Sequence, residues 1–246
     1  MLKKLFVCLF LLSSANIFAE EFIYNFSIFK IAEQNQIETL KTTAQKECDK
    51  NIAMACYKMG EIEWFNARNI KDNAAKEKAK AFYQKAFHLF EKSCNKNNFT
   101  DCVNLAQYYS GGVPGSDIKG NRQKTFELSE KACNGGIAHA CLNAGRMYGK
   151  LNADKDSPEI DKKVLEYVEK GCTLNDAEIC YFVGLQYAGN KKTEQKQKDK
   201  ALKFFEKSCK LYQKNPSKDK DEQNNADVAC QVYQDFKDGT YYDKWH

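Results

Sequence analysis

The chain runs to 246 residues, 43% hydrophobic and 29% charged, with only three prolines and 13 glycines. That composition excludes collagen-like, low-complexity and disordered classes, and its supply of Ala, Leu, Lys, Glu and Gln favours helix over sheet. The 38 basic and 33 acidic residues are interspersed, giving +5 overall, so no large single-sign field marks a nucleic-acid surface.

The N-terminus reads as a secretory signal. Met1-Leu2-Lys3-Lys4 is basic, Leu5 to Leu12 is apolar, and Ile17-Phe18-Ala19 precedes Glu20-Glu21 as a small-residue cleavage site would. The apolar run is shorter than the ~20 residues of a spanning helix, and nothing later in the sequence is apolar enough, so stable membrane insertion is not expected. A signal at 1–19 would deliver the remainder to the periplasm or the medium. Its removal takes away Cys8 and leaves ten cysteines and a net charge of +3. An even cysteine number in an oxidising compartment points to pairing, and export with a near-balanced surface argues further against nucleic acid.

A period then governs the chain. Glu-Lys-x-Cys ends at Cys94, Cys133, Cys172 and Cys209, in steps of 39, 39 and 37 residues, with a weaker first copy ending at Cys48. After four of these five cysteines another follows eight positions later, at Cys56, Cys102, Cys141 and Cys180. The fifth follower, Cys230, comes 21 positions after Cys209, across Pro216 and a Lys/Asp-rich insertion that reads as a surface loop. Eight residues of continuous helix rise about 12 Å, whereas bridged cysteines need Cα atoms within roughly 7 Å. Bonded pairs would therefore require a turn. Asn134-Gly135-Gly136 supplies one, and Asn95 to Asn98 and Leu174-Asn175-Asp176 are the matching segments.

The stretches between are helical in spacing. Phe126, Leu128 and Ala132 lead to Cys133; Leu165, Tyr167 and Val168 to Cys172; Leu202, Phe204 and Phe205 to Cys209. Ser157-Pro158 reads as an N-cap with a first-turn proline. Beyond the second cysteine come Leu105, Ala106 and Tyr109, then Ala144, Gly145 and Tyr148, then Val183, Gly184 and Tyr187. A small residue recurs four places past that cysteine, as Gly60, Ala106, Gly145 and Gly184, as a close helix contact demands.

These residues resemble the Sel1-like repeat, and specifically the Helicobacter cysteine-rich protein family. The carriers are Cys102-Val-Asn-Leu-Ala-Gln-Tyr-Tyr-Ser-Gly-Gly-Val113, Cys141-Leu-Asn-Ala-Gly-Arg-Met-Tyr-Gly149 and the four Glu-Lys-x-Cys endings, and the resemblance runs from about 48 to 236. It implies an all-α, right-handed superhelical solenoid of two-helix, tetratricopeptide-like repeats with a bridge in each. The repeats would fall near 50–95, 98–134, 137–173 and 176–210, with a C-terminal cap at 224–246. A solenoid brings each helix end only against its neighbours, so the expected bridges are Cys48–Cys56, Cys94–Cys102, Cys133–Cys141, Cys172–Cys180 and Cys209–Cys230. The first repeat spans 46 residues from Cys56 to Cys102, seven more than its neighbours, and should have helices about a turn longer.

By analogy with tetratricopeptide geometry, the groove would be lined by Tyr57, Lys58 and Glu61, by Asn104 and Gln107, by Asn143 and Arg146, and by Tyr181 and Phe182. Asn104 and Asn143 occupy equivalent positions, where two carboxamides in register could grip an extended peptide. The expected product is a monomeric scaffold holding a protein, a peptide or a cell-wall (peptidoglycan) fragment. Members of the resembled family are described as penicillin-binding or weak β-lactamases, which makes a β-lactam ligand the alternative; a secreted host-interaction factor is the second. Four Ser-x-x-Lys runs, at Ser27, Ser93, Ser116 and Ser217, lack the accompanying Ser-Asp-Asn and Lys-Thr-Gly elements, so no catalytic residue is assigned. His88, His139 and His246 are scattered, the cysteine spacing is not that of zinc sites, and Ser110 to Ser116 lacks the Lys-Ser/Thr of a phosphate loop. No metal or cofactor is expected.

Overall fold

The computed structural model describes residues 34–245 apart from 114, 156 and 218; the expected signal segment lies outside them. Every regular element among the described residues is a helix: α1 (Gln34–Asp49), α2 (Ala53–Ile70), α3 (Asn73–Asn95), α4 (Phe99–Tyr109), α5 (Arg122–Asn134), α6 (Ala138–Leu151), α7 (Pro158–Thr173), α8 (Ala177–Ala188), α9 (Gln195–Lys214), α10 (Lys220–Lys237) and α11 (Tyr241–Lys244). The chain forms two compact units, one ending at Leu128 and one beginning at Ser129. In the first, α1 packs on α2, α2 on α3 and α3 on α4; in the second the same succession runs from α6 to α10.

The corners repeat one geometry. The residue three places after the first cysteine of each regular pair is left-handed: Asn51 (φ 64°), Asn97 (φ 66°), Gly136 (φ 95°) and Asn175 (φ 65°). Asn and Gly are the residues that enter this region at least cost. Amides just past the helix bond back into its last turn, Asn51 to Cys48 O at 2.9 Å and Ile52 to Glu47 O at 3.1 Å, repeated by Asn97 to Cys94 O and Asn98 to Ser93 O. The turn brings the next helix start alongside, and five cysteine pairs lie at bonding distance, with Cα separations of 4.6–4.7 Å: Cys48–Cys56, Cys94–Cys102, Cys133–Cys141, Cys172–Cys180 and Cys209–Cys230.

The recurrent small residue is where helices meet. A Cβ on Gly60 would lie 2.5 Å from the ring of Tyr83, one on Gly184 would lie 2.6 Å from that of Phe205, and one on Gly145 would lie 3.1 Å from the Val164 carbonyl. The Glu-Lys-x-Cys signature also has a packing cause. Tyr167 and Tyr187 donate their hydroxyls to Glu130 and Glu169. Lys170 reaches Asn134 Oδ1 at 2.6 Å and Lys207 the Cys172 carbonyl at 2.8 Å. Glutamate thus takes a tyrosine from a later helix, and lysine closes the preceding corner.

In the first unit α2 and α3 have 18 and 23 residues, against 14 and 16 in α6 and α7, in line with the longer repeat. Their break needs neither glycine nor proline: Lys71 is left-handed (φ 51°), and the Asp72 side chain accepts from Ala74 N at 2.8 Å. Ser157 caps α7, with Pro158 in its first turn. The insertion before Cys230 departs from the expected surface loop. It extends two helices instead, α9 to Lys214 and α10 from Lys220, with only 215–219 between them. Leu211 and Val228 pack beside the core around Phe205, which gives both extensions an apolar face. At the end of the chain, Lys244 and the Trp245 indole hold the buried Asp235 carboxylate at 2.6 and 3.0 Å, while Tyr242 donates to the Ala188 carbonyl at 2.7 Å.

Candidate functional site

The first unit carries a cleft of about 360 Å³ at the meeting of two corners. One wall is the turn into α2, with Asn51, Ile52, Ala53 and Met54; the other is the end of α3, with Leu89, Lys92, Ser93 and Lys96, and the start of α4, with Asn98, Asp101 and Asn104. Local sequence places each group. Asn98 caps α4 by accepting from Asp101 N at 3.1 Å, which sets Asp101 and Asn104 one turn apart on one face. Both are buried, Asn104 at 1% exposure and Asp101 at 9%. The Asn104 carboxamide donates to Asp101 Oδ1 at 3.4 Å, and the Ser93 hydroxyl donates to the same carboxylate. Burial pushes the Asp101 carboxyl up from its usual range, opposed by those two bonds. Lys92 and Lys96 are exposed at the rim and make no side-chain hydrogen bond or ion pair among the described residues.

A second cleft, of about 320 Å³, occupies the equivalent corner of the other unit. Asn175, Asp176, Ala177 and Glu178 stand where Asn51 to Met54 stand in the first, opposite Leu211 and Tyr212 on the extended α9, Asn215 just past its end, and Glu222 and Asn225 on α10. Its charge is reversed. Burial, followed by Glu178, Asp176 and Glu222, pushes the Tyr212 hydroxyl up to about 12.

The expected groove residues divide. Asn104 lies in the first cleft. Tyr57 and Lys58, expected on an open groove, are instead buried at 5% and 2% exposure. Tyr57 packs on Tyr83 and Tyr108 with ring centroids 5.5 and 6.3 Å away, because α3 lies along α2 there. Glu61 is half-buried, takes the Tyr57 hydroxyl and has one carboxylate oxygen with no hydrogen-bond partner; burial pushes it up to about 7 against the pull of Tyr57 and Lys58. Gln107 is half-buried. In the second unit Asn143 accepts from Arg146 at 3.2 Å, Tyr181 packs on Phe205 at 5.8 Å, and Phe182 is 39% exposed. Asn104 and Asn143 belong to different units.

Of the Ser-x-x-Lys runs, Ser93 and Lys96 both line the first cleft, but the Ser93 hydroxyl is given to Asp101. Ser116 is buried and accepts from Ile118 N, Ser217 accepts from Asp219 N, and Ser27 lies outside the described residues. Sequence reasoning missed Lys92 and Asp101, although a signal existed. The residue before the second cysteine is Ala55, Ala140, Ile179 or Ala229 in the other repeats and charged only at Asp101.

The Sel1 repeat family model matches residues 53–98, 102–137 and 177–212. The chain carries three Sel1 repeats. Sel1 repeats generally mediate protein interactions, and the first matched repeat begins and ends on walls of the first cleft. Among solved structures, the chain is 14% identical to a Sel1 repeat protein from Oxalobacter formigenes, with 83% of this chain and 92% of that one covered and a TM-score of 0.44. It is 15% identical to a protective antigen of uropathogenic Escherichia coli strains displaying an SLR fold, with 82% of this chain but half of the antigen covered and a TM-score of 0.41. No curated protein matches. No described helix is long and apolar enough to cross a membrane, and no described group of His, Cys, Asp and Glu could hold a metal ion.

Proposed function

We propose that this Sel1-repeat protein is an exported scaffold that binds a peptide segment of a protein or cell-wall partner. The carrying observation is the first-unit cleft, where a buried carboxylate and carboxamide sit beneath two lysines that have no structural partner. Asp101 and Asn104 can pair with peptide N–H and C=O groups, while Met54 and Leu89 offer apolar contact. Five bridges and the basic, apolar and small-residue order of the N-terminus support export to an oxidising compartment. The paired-cysteine spacing supports a place in the cysteine-rich branch of the family. Asn143, Arg146, Tyr181 and Phe182 would supply further contacts from the second unit.

The test is affinity capture by the mature, oxidised protein from periplasm and medium, repeated with Asn104→Ala combined with Asn143→Ala. Loss of capture with an unchanged circular dichroism spectrum supports the reading; undiminished capture removes these asparagines from the site. A chromogenic cephalosporin should not be hydrolysed, and turnover abolished by Ser93→Ala would replace the scaffold reading with a serine hydrolase.

A further inference from the structure

From the cleft formed by Asp101, Asn104, Lys92 and Lys96, we infer a binding site for a small zwitterion, a free dipeptide whose ammonium meets Asp101 and whose carboxylate meets the two lysines. The inference rests on the peptide-binding reading above and names the ligand class of the same site.

Three observations support it. The first is a departure from the repeat. Ala55, Ala140, Ile179 and Ala229 are buried at 0–1% exposure before their cysteines, and the same position holds Asp101 in this repeat alone. Burying a carboxylate costs stability unless it is well satisfied. Ser93 and a long 3.4 Å bond from Asn104 use only part of the roughly four acceptor positions of a carboxylate. What remains can take the N–H donors of an ammonium.

The second observation concerns Lys92. Its counterparts Lys170 and Lys207 are committed to the preceding corner, the latter through the Cys172 carbonyl. In the first unit the equivalent Cys48 carbonyl is taken by Lys85 at 2.8 Å. Lys92 is thereby relieved of that role and left on the rim beside Lys96.

The third is size and charge. A volume of about 360 Å³ lies at the small end of the roughly 300–1,000 Å³ range of ligand pockets, which suits one or two residues. A simple anion would be repelled by Asp101 and a simple cation by the lysines, whereas a molecule carrying both charges satisfies both ends. The apolar wall of Ile52, Met54 and Leu89 receives an aliphatic side chain.

The experiment is calorimetry of the full oxidised protein with leucyl-alanine, its N-acetyl form and its C-terminal amide. The free dipeptide should bind saturably, and each blocked form should bind at least about tenfold more weakly, as loss of a charge-assisted contact implies. Lys92→Met with Lys96→Met, both exposed and harmless to the fold, should make the free and amidated forms equal. Asp101→Asn should do the same for the free and acetylated forms. Absence of saturable binding, equal affinity for blocked and free forms in the wild type, or indifference to the lysine substitutions overturns the inference. Partner capture without dipeptide binding refutes this inference and leaves the scaffold standing; dipeptide binding without partner capture does the reverse.

Discussion

Glu61 gives the first unit a pH-dependent stability whose size follows from its surroundings. It lies on α2 against Tyr57 and Lys58 of its own helix, Tyr83 of α3 and Tyr108 of α4, and one of its oxygens has no hydrogen-bond partner. Burial raises its carboxyl from 4.5 to about 7. A carboxyl raised by folding binds its proton more tightly in the native state, so its contribution is fully present below pH 4.5 and is lost as pH rises through about 7. The gap corresponds to about 3 kcal/mol. Glu61→Gln keeps the shape and removes the ionisation. Urea unfolding followed by circular dichroism should therefore find the variant no more stable than wild type at pH 4.5 and more stable by up to about 3 kcal/mol at pH 8. Comparing the two proteins at each pH cancels the other titrating groups. A difference that does not change with pH would refute the reasoning.

Four further outcomes are expected. Gly60→Ala and Gly184→Ala should each cost about 1–3 kcal/mol in unfolding experiments, since the new methyl meets a buried ring 2.5 or 2.6 Å away; Gly112→Ala, which meets the end of the Gln107 side chain, should cost far less. Replacing Cys94 and Cys102 together by Ala should cost about 2–3 kcal/mol by the loop-entropy estimate, and non-reducing peptide mapping of the parent should recover five local bridges and no cross-repeat one. Asp235→Ala should free α11, read as faster amide exchange at 241–245 and altered Trp245 emission. Because Lys244 and then Trp245 hold the Asp235 carboxyl down at about 2, that anchoring should persist above its ordinary 3.8 and fail in wild type only as pH falls through about 2.

The corners were legible because their demands are local. Cysteines eight apart, followed at the third position by Asn or Gly, prescribe a left-handed residue and a reversal, and the small residue four places on marks the contact with the next helix. Two boundaries escaped for the opposite reason. Lys71 takes a left-handed conformation without the residue type that announces it. Around Pro216 the charged stretch hid an apolar stripe that becomes meaningful only once Phe205 is in place to receive it. The groove suffered from transferred geometry: Tyr57 and Lys58 hold the position assigned by analogy, yet both are buried, Tyr57 beneath Tyr83 of α3 and Tyr108 of α4. Asp101 could have been found by aligning the repeats with one another, since a charge in a column of Ala and Ile has to be satisfied by something.

The two clefts show why the corner, rather than the helix face, is where such an array can diversify. A residue on a packing face is constrained by the neighbouring helix, as the ring against Gly60 demonstrates. At a corner the disulfide and the left-handed residue hold the frame, with Cα separations of 4.6–4.7 Å in both units, and side chains such as Asn98 and Asp176 add a cap to the following helix. Ile52 and Met54 in one unit and Asp176 and Glu178 in the other can therefore differ completely without altering the backbone path. On that argument, Glu178→Met should leave unfolding nearly unchanged while weakening any preference of the second cleft for basic peptides, whereas Asp176→Ile should cost about 0.5–2 kcal/mol, because the Asp176 side chain caps α8 by accepting from Ile179 N at 2.9 Å. A large loss of stability from Glu178→Met would show that its carboxylate holds the corner itself.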